Sequence, residues 1–264
     1  MTESKSPLLL KGANIAAFVV TLIVNSAAGI GLLNGISTGA VSDKYATLIT
    51  PAGYVFSIWS VIYILLFVFV VYQALPSQNG KMFHQKISVL FLLSSIFNIL
   101  WIFLWQYEFI TLSVPVIFAL LASLIAIYLR LNIGRSNVPM RERLCVHLPF
   151  SVYLGWITIA SIADVAAALV SVNWDGFGIS NEAWAILVVI VALIITLLVT
   201  FTRRDIAYDL VIIWALVGIA VKQSAYQNIV YTTEISAVII AISLVLAILA
   251  TRSRSAKSPQ TPPD

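Results

Sequence analysis

The sequence predicts an all-α integral membrane protein with about eight transmembrane helices. Two features of the composition lead to this fold class. Of the 264 residues, 61% are hydrophobic and 10% are charged, whereas a soluble domain usually has about 25% charged residues. Apolar runs long enough to cross about 30 Å of hydrocarbon also recur along the chain. The single cysteine, Cys145, excludes an internal disulfide.

Eight apolar segments follow one another along the chain. The second follows Thr50-Pro51, and a proline at the first helical position lacks only an N–H that has no partner within the helix. We therefore expect that helix to begin near Pro51. The seventh is the weakest, because Asp209 and Lys222 leave only residues 210–221 uncharged, and we expect it to be short, tilted or broken. The predicted segments are residues 14–33, 54–72, 87–105, 110–129, 148–172, 183–201, 206–221 and 235–250.

Basic residues are distributed unevenly between the two sides that eight spans define. Thirteen of the fifteen fall on the side that holds both termini and the even-numbered loops. Because cytoplasmic loops carry an excess of Lys and Arg, we predict that both termini are cytoplasmic. The thirteen are Lys5, Lys11, Lys81, Lys86, Arg130, Arg135, Arg141, Arg143, Arg203, Arg204, Arg252, Arg254 and Lys257, and the two on the other side are Lys44 and Lys222.

The two ends of the chain carry their own signals. The N-terminal apolar run also resembles a cleavable signal peptide. Cleavage would remove one span, and the remaining spans would no longer agree with the distribution of basic residues. We therefore expect this segment to be retained. Residues 251–264 contain three prolines with several Ser, Lys and Arg residues, and we expect them to form a disordered cytoplasmic tail.

Three of the predicted helices each carry aromatic or polar residues on one face. The spacings of i, i+3 or i+4, and i+7 or i+8 place residues on a single helical face. At a rise of about 1.5 Å per residue these groups lie at similar depths in the outer half of the membrane, and we predict a shared pocket that opens outward. The residues are Phe56, Trp59 and Tyr63 on the second helix, Asn98, Trp101 and Trp105 on the third, and Trp156, Ala160 and Asp164 on the fifth.

A structural interpretation of the same residues stays open. Aromatic rings are common near the ends of membrane helices, where they prefer the interface. Asp164 lies among small residues that suit close helix packing, so it has the alternative role of a hydrogen bond to a neighbouring helix. A polar group in hydrocarbon costs several kcal/mol unless it is satisfied, and we favour a functional role for Asp164.

These motifs resemble those of the TspO/MBR family, which comprises bacterial tryptophan-rich sensory proteins and the mitochondrial translocator protein. The resemblance covers residues 14–172. Thr50 stands in place of the first proline of a Pro-Pro pair. Two departures limit the resemblance, namely Asp164 in place of an asparagine and three further spans from about Asn173 onward. The matching residues are Pro51, Trp59 and Tyr63 for the second helix, Asn98, Trp101 and Trp105 for the third, and Pro149, Trp156 and Ala160 for the fifth.

The resemblance implies a five-helix bundle that binds a hydrophobic ligand. On this basis we expect a TspO-like bundle over residues 1–172, three additional membrane helices over residues 173–250 and the tail over residues 251–264. The implied ligand is a tetrapyrrole, such as a porphyrin or heme, or a sterol-like molecule, in a pocket covered by residues 34–49. The other expected partners are the lipid bilayer and, as an open alternative, a second copy of the chain. Nucleic acid is not expected, because the basic residues do not cluster on one folded face.

Three functions compete at this point. The first is a membrane receptor or carrier for a tetrapyrrole or similar ligand. The second is a proton-coupled secondary transporter in which the Asp164 carboxyl carries the proton, and the third is docking of a partner membrane protein by the last three helices. No enzymatic, cofactor or metal site is expected, since His84 and His147 lack a paired carboxylate and metal-ligand spacing. The family resemblance leaves light-dependent porphyrin degradation as an alternative, and the charge asymmetry favours a bacterial inner membrane or a similar one.

Overall fold

The computed structural model describes residues 6–256, with side chains from residue 9 to residue 250. Within this range the chain is helical and contains no β-strand, which confirms the all-α prediction. We number the eight long helices of the described residues in chain order. They are α1 (Ser6–Gly29), α2 (Ile58–Ala74), α3 (Leu90–Gln106), α4 (Ile110–Leu131), α5 (Leu148–Ser171), α6 (Asn181–Arg203), α7 (Ile206–Lys222) and α8 (Gln227–Ala256).

Short helical turns precede three of these helices. Helix α2 starts at Ile58 rather than near Pro51, because a 3-10 turn, Gly53–Ser57, comes between them. Helix α3 starts at Leu90 because Ser88, with a φ of 45°, separates it from the short helix Met82–Ile87. Helix α5 continues from Met140–Glu142 through the π-helical turn Arg143–His147.

Six of the described helices are long and apolar enough to cross a membrane by their length and composition. They are α1, α2 with its 3-10 turn, α4, α5 with the turns before it, α6 and α8. Helices α3 and α7 have 17 residues each. The protein is thus a multi-pass membrane protein, and eight spans with both termini in the cytoplasm stay a prediction.

The first five helices form a closed ring. Around it, α1 contacts α3, α3 contacts α4, α4 contacts α5, α5 contacts α2, and α2 contacts α1. Helices α6, α7 and α8 pack on one another, and α7 packs on α5 from outside the ring. Gly155 of α5 allows this approach, since a Cβ there would lie 3.2 Å from the Tyr208 carbonyl oxygen.

A second contact joins α7 to the entrance of α2. The Ala52 N–H donates to the Gly218 carbonyl oxygen at 3.0 Å, and the Trp214 indole N–H donates to the Val55 carbonyl oxygen at 3.2 Å. A Cβ on Gly218 would lie 2.1 Å from a methyl group of Val55, which is buried. Helix α7 therefore fixes the backbone just before the aromatic face of α2.

The C-terminal helix is longer than the sequence predicted. Helix α8 begins at Gln227, eight residues before the predicted start, and continues to Ala256. Nothing between these residues is a proline, so no residue removes a helical N–H. The first six residues of the predicted tail are therefore helical, and residues 257–264 lie outside the described residues.

Candidate functional site

A column of four aromatic rings runs between α2 and α3. Trp59 stacks on Tyr63, with ring centroids 5.6 Å apart, and on Trp101 at 6.1 Å. Trp101 in turn stacks on Trp105 at 5.8 Å. The column forms because residues four apart on one helix lie one turn apart on the same face. The predicted aromatic faces of α2 and α3 therefore meet.

Helix α5 supplies a second wall to this column. Trp156 and Tyr153 each meet the Trp59 ring edge-on, with centroids 6.1 Å apart. Phe56 meets Trp156 edge-on at 5.9 Å. Edge-to-face and offset-stacked pairs of this kind are the favoured arrangements of aromatic rings. We call these seven residues the aromatic cluster: Phe56, Trp59, Tyr63, Trp101, Trp105, Tyr153 and Trp156.

A short amide network lies beside the aromatic cluster. The Asn98 side chain is fully buried, and its amide N–H donates to the Tyr153 hydroxyl oxygen at 2.8 Å. The Asn98 carbonyl oxygen accepts from the Asn25 amide at 2.6 Å. Asn25 also donates to the Thr21 carbonyl oxygen on its own helix at 2.9 Å. These bonds link α1, α3 and α5 and satisfy polar groups that hydrocarbon could not.

Asp164 lies at the other edge of the cluster and is only 1% exposed. Its Oδ1 accepts from the Trp101 indole N–H at 3.3 Å. The Ser113 hydroxyl lies 2.9 and 3.0 Å from the two carboxyl oxygens and 2.7 Å from the Ile110 carbonyl oxygen. No basic side chain forms an ion pair with Asp164 in the part of the chain that the structure describes. This carboxyl is therefore held by neutral hydrogen bonds.

Two polar atoms inside the aromatic cluster have no hydrogen bond. The Trp156 indole N–H and the Tyr63 hydroxyl are buried and lack a partner among the described residues. The Tyr63 hydroxyl lies beside the Asn98 side chain, whose amide N–H already donates to the Tyr153 hydroxyl. An unpaired buried polar group costs about 1–3 kcal/mol. The cluster thus holds two groups that a bound molecule would satisfy.

The loop of residues 34–49 covers the end of the five-helix ring at which the aromatic cluster lies. It contains the short helix Thr38–Lys44. The Gln106 amide donates to the Asn34 side-chain oxygen at 2.7 Å, and the Trp105 indole N–H donates to the Thr38 carbonyl oxygen at 3.2 Å. The loop is therefore attached directly to the last ring of the column.

Ion pairs hold the same loop on two sides. Lys44 pairs with Glu108, which also accepts from the Tyr45 hydroxyl at 2.7 Å. These hydrogen bonds, first from Lys44 and then from Tyr45, hold the pKa of Glu108 below its usual value. On the other side, Lys222 at the end of α7 pairs with Asp43 at 2.9 Å. The cover over the cluster thus depends on α7 as well as on the five-helix ring.

The comparison with known families agrees with this architecture. The model of the family described as TSPO-like protein matches residues 11–250. The chain belongs to the TSPO-like protein family. No curated protein and no solved structure matches the chain. The resemblance inferred from three motifs is thereby confirmed at the level of the family. In this TSPO-like protein the matched range also includes α6, α7 and α8, and a domain boundary at residue 172 stays a prediction.

The structure brings the predicted site residues of this TSPO-like protein together. Seven of the nine join directly by ring contacts or hydrogen bonds, namely Phe56, Trp59, Tyr63, Trp101, Trp105, Trp156 and Asp164. Asn98 joins through Tyr153. Ala160 lies on α5 between Trp156 and Asp164 and packs against the core. No group of three His, Cys, Asp or Glu residues that could hold a metal occurs among residues 6–256.

Two members of the site were not predicted. Tyr153 lies three residues before Trp156, so its position on the same face of α5 was a usable signal. Ser113 on α4 carried no such signal, because serine is common in membrane helices as a packing residue. Its contact with Asp164 is visible only once α4 and α5 are packed together.

Proposed function

We propose that this TSPO-like protein is a membrane receptor or carrier that binds a tetrapyrrole, or a similarly flat hydrophobic molecule, in the aromatic cluster. The observation that carries the proposal is the column of stacked rings beside two unpaired polar atoms. A porphyrin has a wide π face that stacks on indole rings. It also has polar groups at its edge and centre that accept hydrogen bonds.

The two unpaired atoms define what the ligand has to offer. The Trp156 indole is a donor only, whereas the Tyr63 hydroxyl both donates and accepts. A purely apolar molecule would leave both groups unpaired and would not offset their cost of about 1–3 kcal/mol each. The proposal therefore favours a flat ligand with hydrogen-bond acceptors over a plain hydrocarbon, with a sterol-like molecule as the competing class.

Entry of such a ligand requires movement. Trp101, Trp105 and Trp156 are each 5% exposed or less, and the rings already touch one another. A flat molecule can stack on Trp59 only if these rings separate and the loop of residues 34–49 lifts. That loop is held by hydrogen bonds and exposed ion pairs, which are weaker restraints than a packed core.

The proposal is tested by titrating the purified protein with protoporphyrin IX and following the porphyrin Soret band, which does not depend on the number of tryptophans. We expect saturable binding by the wild type and affinity about tenfold weaker in Trp59→Leu, because one stacked pair contributes about 1.5 kcal/mol. Trp174→Leu is the matched control, since Trp174 contacts Phe177 and Trp184 rather than the cluster. Equal affinities of Trp59→Leu and Trp174→Leu for protoporphyrin IX, or no saturable binding, would refute the proposal for a tetrapyrrole. Saturable binding of cholesterol in that case would indicate a sterol-like ligand.

A second candidate function, proton-coupled transport, rests on Asp164. The Ser113 hydroxyl has one proton but lies within hydrogen-bond distance of three oxygens. A proton on Asp164 would complete this set, and its loss would rearrange it. If the protein is such a transporter, we expect ligand uptake into proteoliposomes to depend on a pH gradient in the wild type and not in Asp164→Asn. Uptake that changes neither with the pH gradient nor with Asp164→Asn would exclude proton-coupled transport and leave the receptor or carrier function.

The membrane in which the protein acts is part of the same proposal. The basic residues gather at the end of the ring opposite the aromatic cluster, as expected for a bacterial inner membrane with that end in the cytoplasm. The aromatic cluster would then open away from the cytoplasm. Labelling of a cysteine introduced at Ala46 by an impermeant reagent in intact cells tests this orientation, and protection of that cysteine would reverse it.

A further inference from the structure

A cavity of about 310 Å³ lies at the end of the ring opposite the aromatic cluster. Its walls are the loop after α4, the π-helical turn before α5 and the start of α7. Its polar lining consists of Ser136, Arg143, His147, Ser151, Arg204 and Asp205. We call it the arginine-lined cavity. It belongs to the end that the charge distribution predicts to be cytoplasmic, and the inference drawn from it is independent of the proposed function.

The arginines at this end of the protein fall into two groups. Arg135 donates to the Thr202 carbonyl oxygen at 2.7 Å, and Arg203 donates to the Asn132 side-chain oxygen at 2.8 Å. These two tie the loop after α4 to the end of α6. By contrast, Arg143 and Arg204 line the cavity and form no ion pair with any side chain that the structure describes. The cavity is therefore lined by two guanidinium groups that have no ion-pair partner among the described residues.

The one acidic group of the lining is already engaged. Asp205 accepts from the Ser151 hydroxyl and, through its other oxygen, from the Tyr208 N–H at the start of α7 at 3.4 Å. It is 7% exposed, which suits this capping role. His147 is buried in the wall. Two arginines against one capped carboxylate leave the lining with a positive charge.

Ser136 adds a donor without a partner. Its hydroxyl is buried, lines the cavity and makes no hydrogen bond with the described residues. The neighbouring Gly134, with a φ of +80°, holds this loop close to α6, since a Cβ there would lie 2.0 Å from the Arg203 carbonyl oxygen. The hydroxyl is thus placed in the wall by a tight backbone contact rather than by a mobile loop.

We propose that the arginine-lined cavity binds a phosphate group. A guanidinium presents paired N–H donors that match the oxygens of a phosphate, and the Ser136 hydroxyl supplies a further donor. The volume of about 310 Å³ exceeds that of a few waters at about 30 Å³ each, so an attached group fits beside the phosphate. The source is either the headgroup of an anionic phospholipid in the adjoining leaflet, for which basic pockets between membrane helices are suited, or a soluble phosphate compound.

The test uses the full-length protein, delipidated in a neutral detergent. Binding of short-chain phosphatidylglycerol is measured by native mass spectrometry, with phosphatidylcholine of equal chain length as the reference lipid. We expect Arg143→Gln/Arg204→Gln to bind phosphatidylglycerol at least about tenfold more weakly than the wild type, because charge-assisted hydrogen bonds are lost. The matched control is Arg130→Gln/Arg141→Gln, which removes the same charge from nearby residues outside the lining and should change the affinity less than about twofold.

Inorganic phosphate then distinguishes the two sources. If millimolar phosphate competes with phosphatidylglycerol in the wild type, the site takes a soluble phosphate; if it does not, the site takes the lipid headgroup. Ser136→Ala is a second variant, and we expect weaker phosphatidylglycerol binding with an unchanged melting temperature, because the lost hydroxyl had no partner. Equal phosphatidylglycerol binding by the cavity variant and its control, or no preference over phosphatidylcholine, would overturn the proposal.

Discussion

The aromatic cluster and the arginine-lined cavity occupy opposite ends of the same protein and are built in opposite ways. In the cluster, nearly every side chain is matched by another: rings stack on rings, and Asn98 bonds to both Asn25 and Tyr153. In the cavity, Arg143 and Arg204 form no ion pair with a described residue, and open space lies beside them. The aromatic cluster is closely packed, whereas the cavity is open and its lining has more basic than acidic groups.

This difference separates stability from ligand binding in a predictable way. Groups that satisfy one another contribute to folding, whereas an unpaired group costs free energy until something binds to it. We therefore expect most substitutions in the cluster to lower stability and those of the cavity arginines to leave it unchanged. The unpaired hydroxyls of Tyr63 and Ser136 should behave alike although they lie at different ends.

The largest effect compares the two ends directly. Trp156→Ala removes a ring that is 2% exposed and packs against Phe56 and Trp59, and we expect a loss of about 3–5 kcal/mol in the free energy of unfolding. Arg143→Ala should stay within about 0.5 kcal/mol of the wild type, as surface substitutions do. Reversible unfolding in mixed micelles measures both. Similar losses in the two variants would show that the ends do not differ in this way.

A smaller effect sharpens the contrast within the cluster. Tyr153→Phe and Tyr63→Phe delete the same hydroxyl from neighbouring rings. The first leaves the Asn98 amide without its acceptor, so we expect about 1–3 kcal/mol of destabilisation. The second removes a group that has no hydrogen-bond partner among the described side chains, so stability should be unchanged or higher. If Tyr63→Phe proved the more damaging of the two, its hydroxyl would have a partner in the folded protein.

The smallest effect concerns the ion pair that closes the cluster. The pKa of Glu108 is lowered in the folded protein by its hydrogen bonds from Lys44 and Tyr45. Their stabilisation of the loop is therefore fully present above the pKa of an unfolded glutamate, about 4.3, and is lost as the pH falls through the lower folded value. Because Lys44 is exposed and Glu108 is partly exposed, the effect is small and is screened by salt.

Hydrogen exchange of residues 34–49 measures this effect. At neutral pH we expect faster exchange in Glu108→Gln than in the wild type, and the ratio should approach one at acid pH, where the wild-type pair is also lost. Glu182→Gln is the control, since Glu182 bonds to Asn228 away from this loop. A ratio that does not change with pH would mean that the ion pair does not hold the loop.

The fold was predictable where the signal is local. Helix α7 begins at Ile206, as predicted, and the Asp205 side chain caps its first turn. The helical run that ends in α5 already begins at Met140, eight residues before the predicted Leu148. The predicted start of α2 near Pro51 agrees with the helical run, which begins at Gly53, but its first turn is a 3-10 turn and the α-helix starts at Ile58. Just before this turn the Ala52 N–H bonds to Gly218, in a helix far along the chain. Such a contact leaves no trace near Pro51. The length of α8 was missed because its first polar residues lower the hydropathy without breaking the helix.

The two ends also differ in how visible they are in the sequence. Trp59, Trp101 and Trp156 recur at helical spacings with polar residues, so their meeting could be inferred from periodicity. The arginine-lined cavity could not be inferred, because Arg143 and Arg204 lie 61 positions apart and arginines near the ends of membrane helices first indicate orientation. Only the packing of α7 on α5 brings the turn before α5 close to the segment between α6 and α7.

Whether the unpaired Tyr63 hydroxyl binds the ligand is tested by the affinity of Tyr63→Phe for protoporphyrin IX together with its melting temperature, with Tyr153→Phe measured in parallel. We expect Tyr63→Phe to bind protoporphyrin IX about tenfold more weakly, at a melting temperature no lower than that of the wild type, since a hydrogen bond to the ligand is lost and none to a described residue. Wild-type affinity in Tyr63→Phe together with a lower melting temperature would contradict this expectation.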